Sequence, residues 1–126
     1  MNGTLNRHSL HPHAEGAFRA KLAEAIDAHL EDPELDVEKL ARSLYMSRAV
    51  LYRKIKTISN LPPKKLIHVI RLQRAASLLE EGTCRISEIA YRVGYSSHTV
   101  FGKNFLKQFG KTPLAYQGRL KSEKNS

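Results

Sequence analysis

Apolar residues recur along most of this chain at the three- and four-residue spacing of a helix, and no stretch alternates as a strand does. From Glu15, the residues Phe18, Leu22, Ala25, Ile26 and Leu30 fall on one face, and the pattern stops near Asp32-Pro33. This predicts an amphipathic helix with an acidic outer side. Asp36 offers an N-cap for a short helix from Val37 to about Leu44, with Val37, Leu40, Ala41 and Leu44 on one side. After the brief turn Tyr45-Met46, Ser47 caps a helix to about Ile58 that turns Val50, Leu51, Ile55 and Ile58 inward. Two short helices with such a turn between them make a helix-turn-helix unit.

Pro63 suits the first turn of a longer helix running to Glu81, stopped at Gly82. Its apolar residues Leu66, Ile67, Val69, Ile70, Leu72, Ala75, Ala76, Leu78 and Leu79 cover more than half the circumference, so it must pack on two sides. A short helix from Ile86 to about Val93 follows, then the turn Gly94-Tyr95-Ser96, a helix from Ser97 to about Phe109, and a last helix starting at Pro113.

The second half repeats the first. At an offset of 49, Val37, Leu40, Ala41 and Leu44 fall on Ile86, Ile89, Ala90 and Val93. At an offset of 50, Ser47, Val50, Leu51, Arg53, Ile55, Asn60 and Pro63 fall on Ser97, Val100, Phe101, Lys103, Phe105, Gly110 and Pro113. The one-residue change lies inside the turn, where length is best tolerated. The expected fold is therefore all-α, two helix-turn-helix subdomains joined by a long linking helix, with an additional N-terminal amphipathic helix. Its expected divisions are a flexible leader 1–14, the N-terminal helix 15–35, a bipartite domain 36–121 and a flexible tail 122–126. Within the domain, the first unit is 36–61, the linking helix 62–82 and the second unit 85–121.

Charge gives this architecture a partner. The chain has 126 residues and a formal net charge of +9. Residues 15–36 carry two basic and seven acidic side chains, whereas 37–85 carry eleven and three, and 86–126 seven and two. The basic footprint thus starts where the repeat starts, which points to a polyanion, nucleic acid first and an acidic membrane surface second. Successive major grooves on one face of B-DNA lie about 34 Å apart. A 19-residue linking helix, roughly 28 Å long at 1.5 Å per residue, can hold two recognition helices at a matching separation.

Other classes fall away. One cysteine, Cys84, excludes an internal disulfide framework and a multi-cysteine zinc site. His11 and His13 have no third metal ligand nearby, so neither a metal nor another cofactor is expected. No phosphate-binding loop, nucleophile elbow or paired carboxylates indicate an enzyme, and no catalytic residue is assigned. With no long apolar span and no signal-peptide core, the protein is expected to be soluble and cytoplasmic, with no membrane partner.

The stretch Ile86-Ser87-Glu88-Ile89-Ala90-Tyr91-Arg92-Val93-Gly94-Tyr95-Ser96, continuing to Phe101, Phe105, Phe109-Gly110 and Thr112-Pro113, resembles the signature of AraC-type transcription regulators. Arg71-Leu72-Gln73-Arg74-Ala75 followed by Leu78-Leu79 is similar to that family's linking helix, and the likeness covers about residues 36–120. Residues 15–35, with Met46-Ser47-Arg48 and Leu51-Tyr52-Arg53-Lys54, also resemble the output domains of response regulators and hybrid two-component sensors. The resemblance implies sequence-specific binding of double-stranded DNA and transcription regulation, with activation as the expected sense. It also implies RNA polymerase as a partner, and a sensor or receiver domain in a longer chain.

By that resemblance, Ala49, Tyr52 and Arg53 of the first recognition helix match base-facing positions, and helical geometry independently puts them opposite Leu51, Ile55 and Ile58. Arg53 can donate two hydrogen bonds to a guanine edge, Ala49 can pack on a thymine methyl, and Tyr52 can reach a base or a phosphate. In the second helix, the matching positions are His98, Thr99, Gly102 and Lys103. Gly102 stands where the family usually has a small hydroxyl residue, so this unit is expected to read less sequence and to grip more phosphate. Arg48, Lys54, Lys56, Lys64, Lys65 and Lys107 are the expected phosphate contacts. Tyr45 sits where the turn often has Gly or Asn, and Asn60 where Gly is common. Asn60 tolerates a left-handed conformation and so can substitute. Arg85 occupies a position where a capping hydroxyl is expected, and Tyr95, Phe101, Phe105 and Phe109 are assigned to the core. The competing reading is a helical protein-interaction module with incidental basic charge.

Overall fold

The computed structural model describes residues 12–118, with side chains from Gly16 onward. The helices are α1 (Pro12–Ala28), α2 (Val37–Ser43), α3 (Arg48–Ile58), α4 (Pro63–Glu81), α5 (Ile86–Arg92) and α6 (His98–Phe109). A final helix, α7, covers 113–118. Among the described residues there is no strand, in line with the all-α reading.

Helix α1 starts at Pro12, three residues before the expected Glu15, because a proline needs no amide partner in a first turn. It ends at Ala28, and turns carry the chain through residues 29–34. Most of the expected leader, residues 1–11, and the tail lie outside the described residues. Phe18, Leu22 and Ile26 are buried along one side of α1, and Leu30 and Leu35 continue that apolar line beyond its end.

The two units are built alike. Asp36 accepts from the Lys39 amide at 2.8 Å, fixing the start of α2. Ser47 caps α3 through the Val50 amide at 3.2 Å, as Ser97 caps α6 through the Val100 amide at 3.3 Å. The turns share their backbone bonds: the Met46 amide donates to the Ala41 carbonyl at 3.0 Å, and the Tyr95 amide to the Ala90 carbonyl at 2.9 Å. Each turn needs one left-handed residue, Tyr45 with φ +56° in the first and Gly94 with φ +89° in the second. Ser96 is the extra residue that follows.

The units differ where their recognition helices end. Gly110, with φ +73°, terminates α6 in a left-handed cap. Asn60 does not do the same for α3, contrary to expectation, because Tyr45 is the non-glycine residue with positive φ among those described. Instead α3 stops at an extended Ser59, whose hydroxyl accepts from the Leu61 amide at 3.0 Å, and the chain runs straight into Pro62-Pro63. Arg85 provides no side-chain cap for α5, as anticipated.

One hydrophobic cluster joins the whole molecule. Helix α2 packs on α1 and α3, while α4 packs on both helices of the second unit. Ile67, Leu72, Ala75, Ala76, Leu78 and Leu79 are buried along α4, and Phe101, Phe105 and Tyr95 fill the second unit, as the spacing predicted. Leu66, Val69 and Ile70 are only partly covered.

Candidate nucleic-acid interface

Each recognition helix buries one side and shows the other. On α3, Leu51 and Ile55 are fully buried, which turns Ala49, Tyr52 and Arg53 outward together. Val50, expected inward, is only half-buried, and its repeat partner Val100 is exposed. On α6, Phe101 and Phe105 anchor the inner side, and His98, Thr99 and Lys103 are exposed with Gly102 half-exposed beside them. A β-carbon at Gly102 would meet no atom within 4 Å, so this position faces open space.

The surrounding cations are less uniform than the sequence implies. Arg48 is drawn to Glu38, its Nη1 lying 3.5 Å from Oε1, and its guanidinium sits 5.8 Å from the Tyr52 ring centroid. Lys54 places its ammonium 5.4 Å from the Phe18 ring of α1, so its stem covers the joint with the N-terminal helix. Lys56, Lys64, Lys65, Lys103 and Lys107 are exposed. Their placement at the start of α4 and along α3 and α6 surrounds the outward faces with positive charge.

His98 has a neighbour that sequence reading missed. Its ring meets Tyr91 edge-on, with centroids 5.2 Å apart, and Tyr91 remains 55% exposed. The signal was available, since an aromatic at position 91 has no place on the apolar face of α5 defined by Ile86, Ile89, Ala90 and Val93.

Arg71 is the other residue whose role the sequence did not disclose. Although 4% exposed, it carries a guanidinium, and Nη1 donates to the Leu30 carbonyl at 2.5 Å and the Val93 carbonyl at 2.6 Å, while Nη2 donates to the Asp32 carbonyl at 2.9 Å. These acceptors lie just past the end of α1 and at the end of α5, where carbonyls lack helical partners and the helix dipole is negative. Burial pushes the Arg71 pKa below its ordinary value, opposed by nearby Tyr95 and Asp32, but an arginine stays protonated. One cation therefore ties the N-terminal segment, the linking helix and the second turn together. Its signal was its position: 67, 71, 75 and 78 form a single helical stripe, and Arg71 interrupts it.

Among the described residues, no group of three or more His, Cys, Asp or Glu side chains could hold a metal. The expected His11 lies outside those residues, and the His13 side chain is not described. No described helix is long and apolar enough to cross a membrane.

Comparison with known proteins fits this geometry. A family model described as "Helix-turn-helix domain" matches residues 40–119. The DNA-binding domain of AdpA, solved in complex with a target DNA, superimposes with a TM-score of 0.72 at 30% identity, covering 83% of this chain and 96% of that one. The C-terminal domain of AraT, a response regulator from Geobacillus stearothermophilus, gives 0.70 at 32% identity, covering 79% and 83%. Histidine kinase P4 of Formosa agariphila is 38% identical over 103 residues, which are 82% of this chain and 8% of the kinase. The HTH-type transcriptional regulator MtrA of Neisseria gonorrhoeae is 34% identical over 99 residues, 77% of this chain and 33% of MtrA. The chain thus spans a third or less of these two relatives. With its two helix-turn-helix units, its linking helix and these matches, the chain belongs to the AraC-type helix-turn-helix family of DNA-binding transcription regulators.

Proposed function

We propose that this chain binds double-stranded DNA sequence-specifically and regulates transcription, with α3 and α6 in adjacent major grooves. The observation that carries the reading is the paired outward faces, 49–53 and 98–103, on recognition helices that flank one cleft over the linking helix, with exposed lysines on both. Ala49, Tyr52 and Arg53 contact bases from α3, with His98, Thr99, Gly102 and Lys103 facing them from α6. Arg48, Lys54, Lys56, Lys64, Lys65 and Lys107 contact phosphates, fixing register without reading sequence. Arg48 does so from beside Glu38, and Lys54 swings from Phe18. The protein acts in the cytoplasm as a recognition module with no reaction of its own. Activation through RNA polymerase is its sense of regulation.

A second proposal concerns the parent chain. The likeness to a short stretch of a histidine kinase and to the C-terminal domain of a response regulator supports an output role beside a sensor or receiver domain.

Selection of bound sequences from a random duplex library, followed by a salt titration on the winner, tests the main reading. A specific site and a log–log salt slope of several units are expected. Absence of DNA binding at low salt would instead favour the protein-interaction module.

A further inference from the structure

Between the two units lies a cleft of about 640 Å³. Lys64, His68 and Arg71 of α4 form its floor, Tyr52 of α3 stands on one wall, and Val100 of α6 on the other. A duplex engaged by both recognition helices must lay the intervening sugar–phosphate backbone across whatever separates them. What separates them here is this cleft. Resting on the DNA-binding reading above, we propose that the cleft seats that backbone and that His68, together with Lys64, contacts its phosphates.

His68 is placed for this. Its Nδ1 lies 3.2 Å from the Tyr95 hydroxyl, an interaction that orients the ring within the lining of the cleft and leaves Nε2 for a phosphate there. Arg71 directs its donors to the carbonyls of Leu30, Val93 and Asp32, so it supplies field more than contact. The acidic groups on the rim are engaged: Glu38 pairs with Arg48, and Asp36 accepts the Lys39 amide as a helix cap. Lys64 is the exposed cation of the floor.

The same surroundings give the contact a pH signature. In the free protein, burial first, then Arg71 and Lys64, hold His68 below its ordinary pKa. Burial keeps the Tyr95 hydroxyl protonated, against the pull of Arg71. A phosphate in the cleft offsets those cations and favours the imidazolium, so binding takes up a proton. The two signs are opposite. Below about pH 6.5 the free fold loses stability, because the unfolded imidazole binds the proton more readily, whereas DNA association tightens.

Fluorescence anisotropy with the full chain and its selected duplex, from pH 8 to pH 5.5, tests the proposal. The wild-type affinity should rise up to about tenfold more over this range than that of His68→Gln, one pKa unit being a tenfold change. Other imidazoles, His98 included, cancel in that difference. His68→Lys, with a permanent cation, should bind at pH 8 about tenfold more tightly than His68→Gln. Lys64→Ala, at an exposed position, should lower the salt slope by about 0.9, and it keeps the test open if a His68 variant fails to fold. Unchanged pH profiles in both His68 variants, or an unchanged slope in Lys64→Ala, would overturn the cleft as a backbone seat while leaving DNA binding intact. Failure to bind any duplex at low salt would overturn both readings together.

Discussion

Tyr45 and Gly94 occupy equivalent places in the two turns, and both are left-handed, yet one is a fully exposed tyrosine and the other a buried glycine. The difference lies in what stands behind each turn. At Gly94 a β-carbon would overlap the Arg71 guanidinium and press on the Leu30 carbonyl, so only a bare α-carbon fits. Behind Tyr45 there is solvent, and the first unit accepts a side chain at a cost of about 1–2 kcal/mol in backbone strain. A shared turn geometry therefore does not mean a shared constraint. The second unit is locked to the linking helix through its turn, and the first unit leaves that turn open.

The recognition helices differ in the opposite direction. Tyr52 and Arg53 correspond to Gly102 and Lys103. At these positions the first unit, freer in its turn, presents two large polar side chains; the second, tied more firmly, presents a bare backbone and a point charge.

The largest test of this contrast is Gly94→Ala. It should destabilise the fold by about 3–5 kcal/mol in urea unfolding, from strain and displacement of Arg71. A loss below 1 kcal/mol would show that the two turns are equally free. Arg71→Met should come next, at about 3 kcal/mol, since it leaves two buried carbonyls and one partly buried carbonyl without their donor. If circular dichroism melts of that variant matched wild type, the second turn would be held by packing alone.

On the DNA side, Arg53→Ala should cost about 1–3 kcal/mol at one base pair and relax preference there. Lys107→Ala should weaken all duplexes alike and reduce the salt slope by about 0.9. Equal relaxation of sequence preference by both would remove the division between reader and grip. The smallest effect belongs to Gly102→Ala, which should raise stability by up to about 1 kcal/mol, because the added methyl enters open space on a helix. A lower melting temperature would mean that the bare backbone at 102 is needed by the fold itself.

Much of this architecture was legible because it rests on local rules. The caps at Asp36, Ser47 and Ser97, the Pro63 start and the Gly82 stop each follow from side-chain or backbone chemistry within a few residues. The outward position of Ala49, Tyr52 and Arg53 followed from the buried phase of Leu51 and Ile55. What escaped depended on distant partners. Arg71 counts as surface charge in any composition argument, and only the carbonyls of Leu30 and Val93, 41 and 22 residues away, make its burial possible. His68 and Tyr95 meet across 27 residues. Asn60 can take a left-handed turn where Gly is common, but the following Pro62-Pro63 pair sets an extended path that needs none.

The Arg71 node also bears on where the molecule can be cut. The recognisable family signature begins at residue 40, yet two of the three acceptors that hold this cation belong to Leu30 and Asp32, upstream of it. A fragment trimmed to the signature would keep both outward helix faces and lose two of the three carbonyls that hold this cation. The stretch by which kinship is read is therefore shorter than the stretch that holds this node together.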